Sequence, residues 1–284
     1  MLIQRLQNAL APDEVNALPR GFQTLQDVVI LNLKPLVWPK RKLIAQAVLD
    51  MYPYIKSVWG KVFGESKVVG QFRTPTGIEH LAGIEKSEVV AKENGVIFKH
   101  DFTKIIFSKG NITERSYLPK LVKPGEIVLD MFAGIGYFSL MIARHAAPGH
   151  VHCCEINPVS YEYLVENIRL NEVDSVVTPH FGDCAKIVPD LVKGGFAADR
   201  IVMGVFPAPK AYLSVAFQAI KHGPGTVIHY EGKVSDGDTG TLMADVEDEA
   251  KKSSLVARVT LLESRLVKNL GIRKQHGVID VLVQ

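Results

Sequence analysis

The sequence predicts an α/β protein: a Rossmann-like parallel sheet preceded by a small α+β module. Two observations carry this. After Phe107, short apolar runs alternate with helical stretches, the pattern of parallel strands joined by crossover helices. The first of these runs ends in an acid followed by two glycines two residues apart, the turn that opens a ligand-binding edge in such sheets. Before about residue 105 the periodicity is irregular, so the 284 residues divide into a module at 1–105 and a sheet domain at 106–284.

In the first part, Val28–Leu33 reads as a short strand. Lys40 to Met51 places Leu43, Ala47, Val48 and Met51 at helical spacing, and Pro53 follows. Val68-Val69 and Val96–Phe98 read as further strands, with turn signals at Pro75–Gly77 and Glu93–Gly95. Trp38 and Trp59 serve either the core, the commoner use of a buried aromatic, or stacking on a nucleotide.

In the second part the strands are Ile127–Asp130, Val151–Glu155, Val176–His180, Arg200–Met203 and Thr226–Tyr230, with Val278–Val283 as the last. Helices are expected at Tyr137–His145, Pro158–Leu170 and Lys210–Lys221. Asn157 suits the cap of the second helix and Pro158 its first position. His152, Cys153 and Cys154 lie inside a strand run and are read as packed core. His229 ends an apolar strand and receives no catalytic role.

Composition narrows the class. Hydrophobic residues at 47% and charged residues at 22% fit a globular chain and exclude a disordered one. No run of apolar residues is long enough to span a membrane. The first ten residues carry Gln4, Arg5, Gln7 and Asn8 instead of a secretory signal's apolar core, which points to the cytoplasm. Three cysteines form neither a disulfide framework nor a CxxC pair, and no metal-ligand cluster is apparent, so no metal is expected. The net charge is only +3, but it is unevenly spread. Lys34 to Arg73 holds eight basic residues against Asp50 and Glu65, while Asp236 to Glu249 holds six acids and no base. Such a distribution is either a nucleic-acid footprint or a pair of ordinary solvated faces.

The chemistry begins at Asp130-Met-Phe-Ala-Gly-Ile-Gly136. Glycines there let a ligand approach the backbone closely. Glu155 ends the next strand, 19 residues after Gly136, where an acid can accept both ribose hydroxyls of a nucleoside. The third glycine of a dinucleotide fingerprint is replaced by Ser139, which argues against a pyrophosphate-bearing ligand. Asp183, after the third strand, can reach an adenine amino group. The three strand ends together favour S-adenosylmethionine as group donor.

The runs Phe107–Arg115, Val128–Ser139, Glu155–Pro158, Glu166–Asn171, Gly182-Asp183, Ala198–Gly204 and Ile228–Tyr230 together resemble one family. It is the archaeal and eukaryotic group holding the tRNA guanine-N1 methyltransferase that acts beside the anticodon and the wybutosine-synthesis aminocarboxypropyltransferase. The resemblance implies a class I S-adenosylmethionine-dependent fold. Two departures point to the second branch: Gly110 stands where the methyltransferases carry an Arg, and Gly204-Val205 where they carry Asn-Leu. The implied reaction moves the 3-amino-3-carboxypropyl group of S-adenosylmethionine to the tricyclic 4-demethylwyosine base of phenylalanine tRNA. Methyl transfer to guanine N1, or a module that binds S-adenosylmethionine and tRNA without turnover, are the alternatives.

By motif match, Glu155 binds the ribose and Asp183 with Cys184 the adenine. Ser108 and Arg115 also fall at the donor, Arg115 as the fork for its carboxylate. Asp130, Ala133, Gly134 and Gly136 form the floor, and Asn111 joins Arg115 as a positioning residue. Glu114 either contributes to this motif or caps and pairs locally. Phe206, Pro207 and Pro209 are either an apolar wall for the base or a simple helix start. Lys40, Arg41 and Lys42 are the candidate tRNA phosphate contacts.

Overall fold

The computed structural model describes residues 2–64, 68–107 and 111–284. Ser108 and Gly110, both singled out in the sequence, lie outside the described residues, as do Glu65 and Lys67 of the basic stretch. The chain divides into two compact units, Met1–Lys92 with Phe98–Phe107, and Glu93–Ile97 with Ser108–Gln284.

The first unit opens with two short helices, α1 (Leu2–Leu6) and α2 (Pro12–Ala17). Its four-stranded sheet has the order β1 (Gln23–Leu25), β2 (Val28–Leu33), β3 (Ser57–Val62), β6 (Ile78–Gly83). Between β3 and β6 lies the small pair β4 (Val68–Val69) and β5 (Thr74–Pro75). Strands β2 and β3 are parallel, so their connection crosses over, and α3 (Arg41–Met51) makes it. The buried stripe of α3 is Ile44, Ala45, Ala47 and Val48, packed on Val29, Leu31 and Leu33. Leu43, expected inside, points outward. On the opposite sheet face Trp59 packs with Val28, Ile30 and Phe102, and its Nε1–H donates to Ser57 Oγ at 2.9 Å. Trp59 is therefore a core residue. The hairpin of β7 (Glu88–Glu93) and β8 (Val96–Asp101) turns at Asn94-Gly95, as the sequence signals.

The second unit starts with α4 (Ile112–Leu121). Then come β9 (Ile127–Asp130), α5 (Ser139–His145), β10 (His150–Glu155), α6 (Pro158–Leu170), β11 (Val177–Phe181) and α7 (Cys184–Lys193). They are followed by β12 (Arg200–Met203), α8 (Leu213–Gln218), β13 (Thr226–Ser235), α9 (Gly240–Ala250), β14 (Val259–Gly271) and β15 (Lys274–Val283). The seven strands form one sheet in the order β11-β10-β9-β12-β13-β15-β14. The first five are parallel, β15 runs against them, and the edge strand β14 pairs antiparallel with β15. The chain order reverses on either side of β9, the place where such sheets bind ligands beyond their carboxyl ends. Strand β12 is buried throughout, as expected for a strand covered on both faces.

Some elements differ from expectation or went unread, α7 (Cys184–Lys193) among them. The helix sought at Lys210–Lys221 is a single 3-10 turn, Lys210–Tyr212, followed by the six-residue α8. The acidic segment is a helix, α9, whose Leu242, Val246 and Ala250 recur every four residues and are buried. Strand β14 went unread because register shifts at Leu261/Glu263 and Leu266/Lys268 break the two-residue alternation of a strand.

Candidate active site

The turn after β9 is built by its glycines. Gly134 and Gly136 have φ of +59° and +98°, a region costly for any residue with a Cβ. A Cβ on Gly136 would also come within 2.6 Å of Leu140. Beneath the turn, Asp130 is fully buried and accepts from Ser139 Oγ at 2.7 Å and Phe132 N at 3.2 Å. Burial pushes its carboxyl up to about 6. Asp130 thus supports the turn from below and is shut off from a ligand. Asn167 of α6 donates to the Ile135 carbonyl at 3.1 Å and ties that helix to the same turn.

Glu155 ends β10, half-buried. Its two oxygens accept from Gly134 N and Asn157 N, each at 2.7 Å. Burial raises its carboxyl above the usual range, and these two backbone N–H groups oppose that shift. Asn157 in turn caps α6 through Val159 N at 3.0 Å, as its position predicts. Asp183 caps α7 through Ala185 N at 2.9 Å. Around these acids stand half-buried Phe132 and Tyr212, whose rings meet edge to face at 5.2 Å, and exposed Ile156.

Several expected ligand groups are otherwise engaged. The Cys184 side chain lies in the core with Leu129, Met131 and Cys154, and burial pushes its thiol up to about 12. Only its backbone is left for an adenine. Arg115 is buried, and its Nε and Nη2 hold both oxygens of Glu93 at 2.8 and 2.6 Å. That edge of the fork is closed to a donor carboxylate by a partner 22 residues earlier in the chain. Asn111 Oδ1 accepts from Lys268 Nζ at 2.6 Å. Glu114 pairs neither locally nor as a cap: it is buried against Arg265 of β14. Phe206 is half-buried with its ring edge-on to His276 at 4.5 Å, while Pro207 is exposed. In the first unit, Lys40 and Lys42 are exposed, but Arg41 is held by Glu79 at 3.0 Å and by the Trp38 ring at 4.9 Å. Arg41 is thus already paired on the surface, whereas Lys40 and Lys42 stand exposed beside it.

The sequence pattern of the TRM5/TYW2 methyltransferase domain matches residues 89–256, and that of the TYW2 N-terminal domain residues 2–87. The chain belongs to the TRM5/TYW2 family. Among its relatives, the tRNA (guanine(37)-N(1))-methyltransferase Trm5b of Pyrococcus abyssi is 35% identical over 94% of this chain and 76% of that one. The tRNA 4-demethylwyosine(37)-methyltransferase Taw21 of Saccharolobus solfataricus is 32% identical over 99% and 98%. The tRNA(Phe) (4-demethylwyosine(37)-C(7)) aminocarboxypropyltransferase of Pyrococcus horikoshii is 33% identical over 81% and 78%. The crystal structure of P. horikoshii TYW2 in complex with MeSAdo superposes with a TM-score of 0.81 at 28% identity, covering 99% of this chain and 97% of that one.

This TRM5/TYW2 chain also holds a buried ionic chain that sequence reasoning missed. Arg265 bridges Glu114 and Asp280, Asp280 meets His229 Nδ1 at 3.1 Å, and Glu231 lies between His229 and His276 at 3.2 and 3.1 Å. The carboxylates on either side hold His229 up to about 9 against its burial; in return His229 and His276 hold Glu231, and His229 and Arg265 hold Asp280, down to about 2. Phe138 packs edge-on to His229 and closes over Gly204, where a Cβ would lie 2.5 Å from its ring. Gly204→Asn, which restores the methyltransferase residue, is therefore expected to displace Phe138 and lower unfolding stability by about 1–3 kcal/mol in a urea titration.

Proposed function

We propose that the chain transfers the 3-amino-3-carboxypropyl group from S-adenosylmethionine to the 4-demethylwyosine base beside the anticodon of phenylalanine tRNA. The observation that carries this reading is Gly204. At the end of β12 the methyltransferase branch places an Asn that handles the guanine, and here the packed Phe138 ring leaves no space for one. The TYW2-type first unit and the P. horikoshii aminocarboxypropyltransferase relative support the same branch.

The residues present fit the donor. The Glu155 carboxylate, fixed by two backbone N–H groups, accepts the ribose hydroxyls. Asp183 and the Cys184 backbone meet the adenine edge, with Phe132, Tyr212 and Ile156 supplying its apolar surroundings. The Gly134–Gly136 turn lets the backbone approach closely. The sulfonium has three carbon neighbours, and the one facing the nucleophile is transferred. Attack on the γ-carbon forms the bond to the base and breaks the sulfur–carbon bond, with its electron pair going to sulfur; the base then releases a proton. Sulfur is already a good leaving group, so positioning can supply much of the rate. Phe206 and Pro207 flank the base, and Lys40 and Lys42 take tRNA phosphates.

Incubation with S-adenosylmethionine and tRNA from a strain blocked just before this step is expected to yield methylthioadenosine by mass spectrometry. A second reading, methyl transfer to the same base, draws on the end-to-end likeness to Taw21. It requires S-adenosylhomocysteine instead. Intact donor with every tRNA offered would leave a binding module only.

A further inference from the structure

We propose that His276 takes up the proton that the target base loses when it accepts the transferred group. The inference rests on the transfer reading above. It holds for either group the donor gives, because each transfer leaves the base with one proton to release.

The observation that carries it is a buried nitrogen without a partner. His276 of β15 is fully buried. Its Nε2 meets Glu231 at 3.1 Å, whereas its Nδ1 has no hydrogen-bond partner among the described residues. A buried polar atom left unpaired costs folding free energy, and a ligand is one reason to retain it. Glu231 is fully buried too, and against that burial His229 and His276 hold it ionised. A carboxylate only accepts, so the ring hydrogen of His276 belongs on Nε2 and Nδ1 keeps its lone pair.

Strand register and contacts put this ring on the substrate side of the sheet. Tyr230 of β13 pairs with Met203, the last residue of β12, and Lys233, three residues on, pairs with His276. His276 therefore lies about 10 Å beyond the level at which β12 ends. Its ring centroid is 4.5 Å from that of Phe206, in the loop that follows β12 and flanks the base on the reading above. Glu231 in turn reaches His229 at 3.2 Å, and the His229 ring lies 5.7 Å from that of Phe138, two residues past the glycine turn. Phe206 is half-buried and outside any helix or strand, so a flat base can displace its edge and meet the imidazole.

The attacking atom of the base forms the new bond with its own electron pair. The sulfur–carbon bond of the donor breaks, and its pair goes to sulfur. The base then gives its proton to His276 Nδ1, while the pair that held the proton stays on the base. The imidazolium keeps its Nε2–H on Glu231, whose charge stabilises it as it forms, and the proton later passes to water. A positioned base of this kind contributes about 10²–10⁴ in rate.

The test combines single-turnover transfer, at saturating S-adenosylmethionine and precursor tRNA, with donor affinity by calorimetry. His276→Gln keeps an amide N–H for Glu231 but takes no proton. It is expected to slow transfer about 100-fold or more while S-adenosylmethionine affinity stays within about threefold. His276→Ala leaves space for imidazole, and added imidazole is expected to raise its rate by about tenfold or more in a concentration-dependent way. A role in folding alone would not respond to imidazole. Transfer by His276→Gln within about threefold of the parent, loss of donor binding in both variants, or a His276→Ala rate indifferent to imidazole would each overturn the assignment. A parent protein that moves no group from S-adenosylmethionine to the tRNA would overturn the transfer reading and this assignment with it.

Discussion

Glu155→Ala is expected to weaken S-adenosylmethionine binding by on the order of 100-fold or more, measured by calorimetry. The carboxylate does two things at once. It accepts Gly134 N and Asn157 N at 2.7 Å, which fixes both the glycine turn and the start of α6. On the proposed donor reading its remaining lone pairs accept the ribose hydroxyls, where each charge-assisted bond contributes about 1.5–3 kcal/mol. Alanine removes both ribose bonds and leaves two backbone donors without their partner. A thermal midpoint a few degrees lower should accompany the affinity loss, since about 1 kcal/mol shifts a chain of this size by roughly 2–4 °C. An affinity within threefold of the parent would move the ribose site away from β10.

The second large effect lies in the buried ionic chain. Arg265→Met takes the guanidinium from Glu114 and Asp280, whose side chains are each only 3% exposed; Asp280 keeps His229, and Glu114 loses its bidentate partner. Breaking a buried pair from one side costs about 3–5 kcal/mol, because the orphaned charge has no access to water. By contrast Arg273→Met, at the exposed pair with Asp236, is expected to leave the urea midpoint nearly unchanged. Urea unfolding of the two variants should separate them clearly.

The same chain makes stability depend on pH with a definite sign. His229 binds its proton more tightly when folded, with a value raised from 6.5 to about 9. Its contribution is complete below pH 6.5 and lost as pH rises through 9. The shift corresponds to a contribution on the order of 3 kcal/mol. Comparing the parent with His229→Gln across this range isolates the effect from Asp130, pushed up to about 6, and from His100 and His152, both held near 4 by burial. The advantage of the parent over the variant should shrink between pH 6.5 and 9; an advantage constant over that range would mean that His229 stays neutral in the fold. At the acid end, Glu231 and Asp280 stabilise above their ordinary values and lose that contribution as pH falls towards 2.

Much of the site was legible because its signals are local. The Asp130–Gly136 turn, the cap at Asn157-Pro158 and the acid at Glu155 lie within a few residues of the backbone groups they serve. The strands Ile127–Asp130 and Arg200–Met203 and the helix Pro158–Leu170 have the bounds expected from their apolar runs and punctuation. Apolar Phe132, Tyr212 and Ile156 gave no such signal, since an aromatic or aliphatic residue near a strand end reads equally well as core. The Glu93 partner of Arg115 gave no signal for a different reason: nothing in a motif tells which carboxylate will reach a guanidinium.

The sequence by itself therefore determined the parallel sheet, its glycine turn and the donor class, and the family resemblance alone singled out Gly204. These depend on backbone conformation, periodicity and residues present or missing at one position. Only the tertiary structure decided that Glu93 closes Arg115, that Arg265 pins Glu114 across 151 residues, and that Lys268 reaches Asn111 across 157. Those pairings follow from strand register and bulges in β14, which bring distant residues together where water is excluded and charge must find charge.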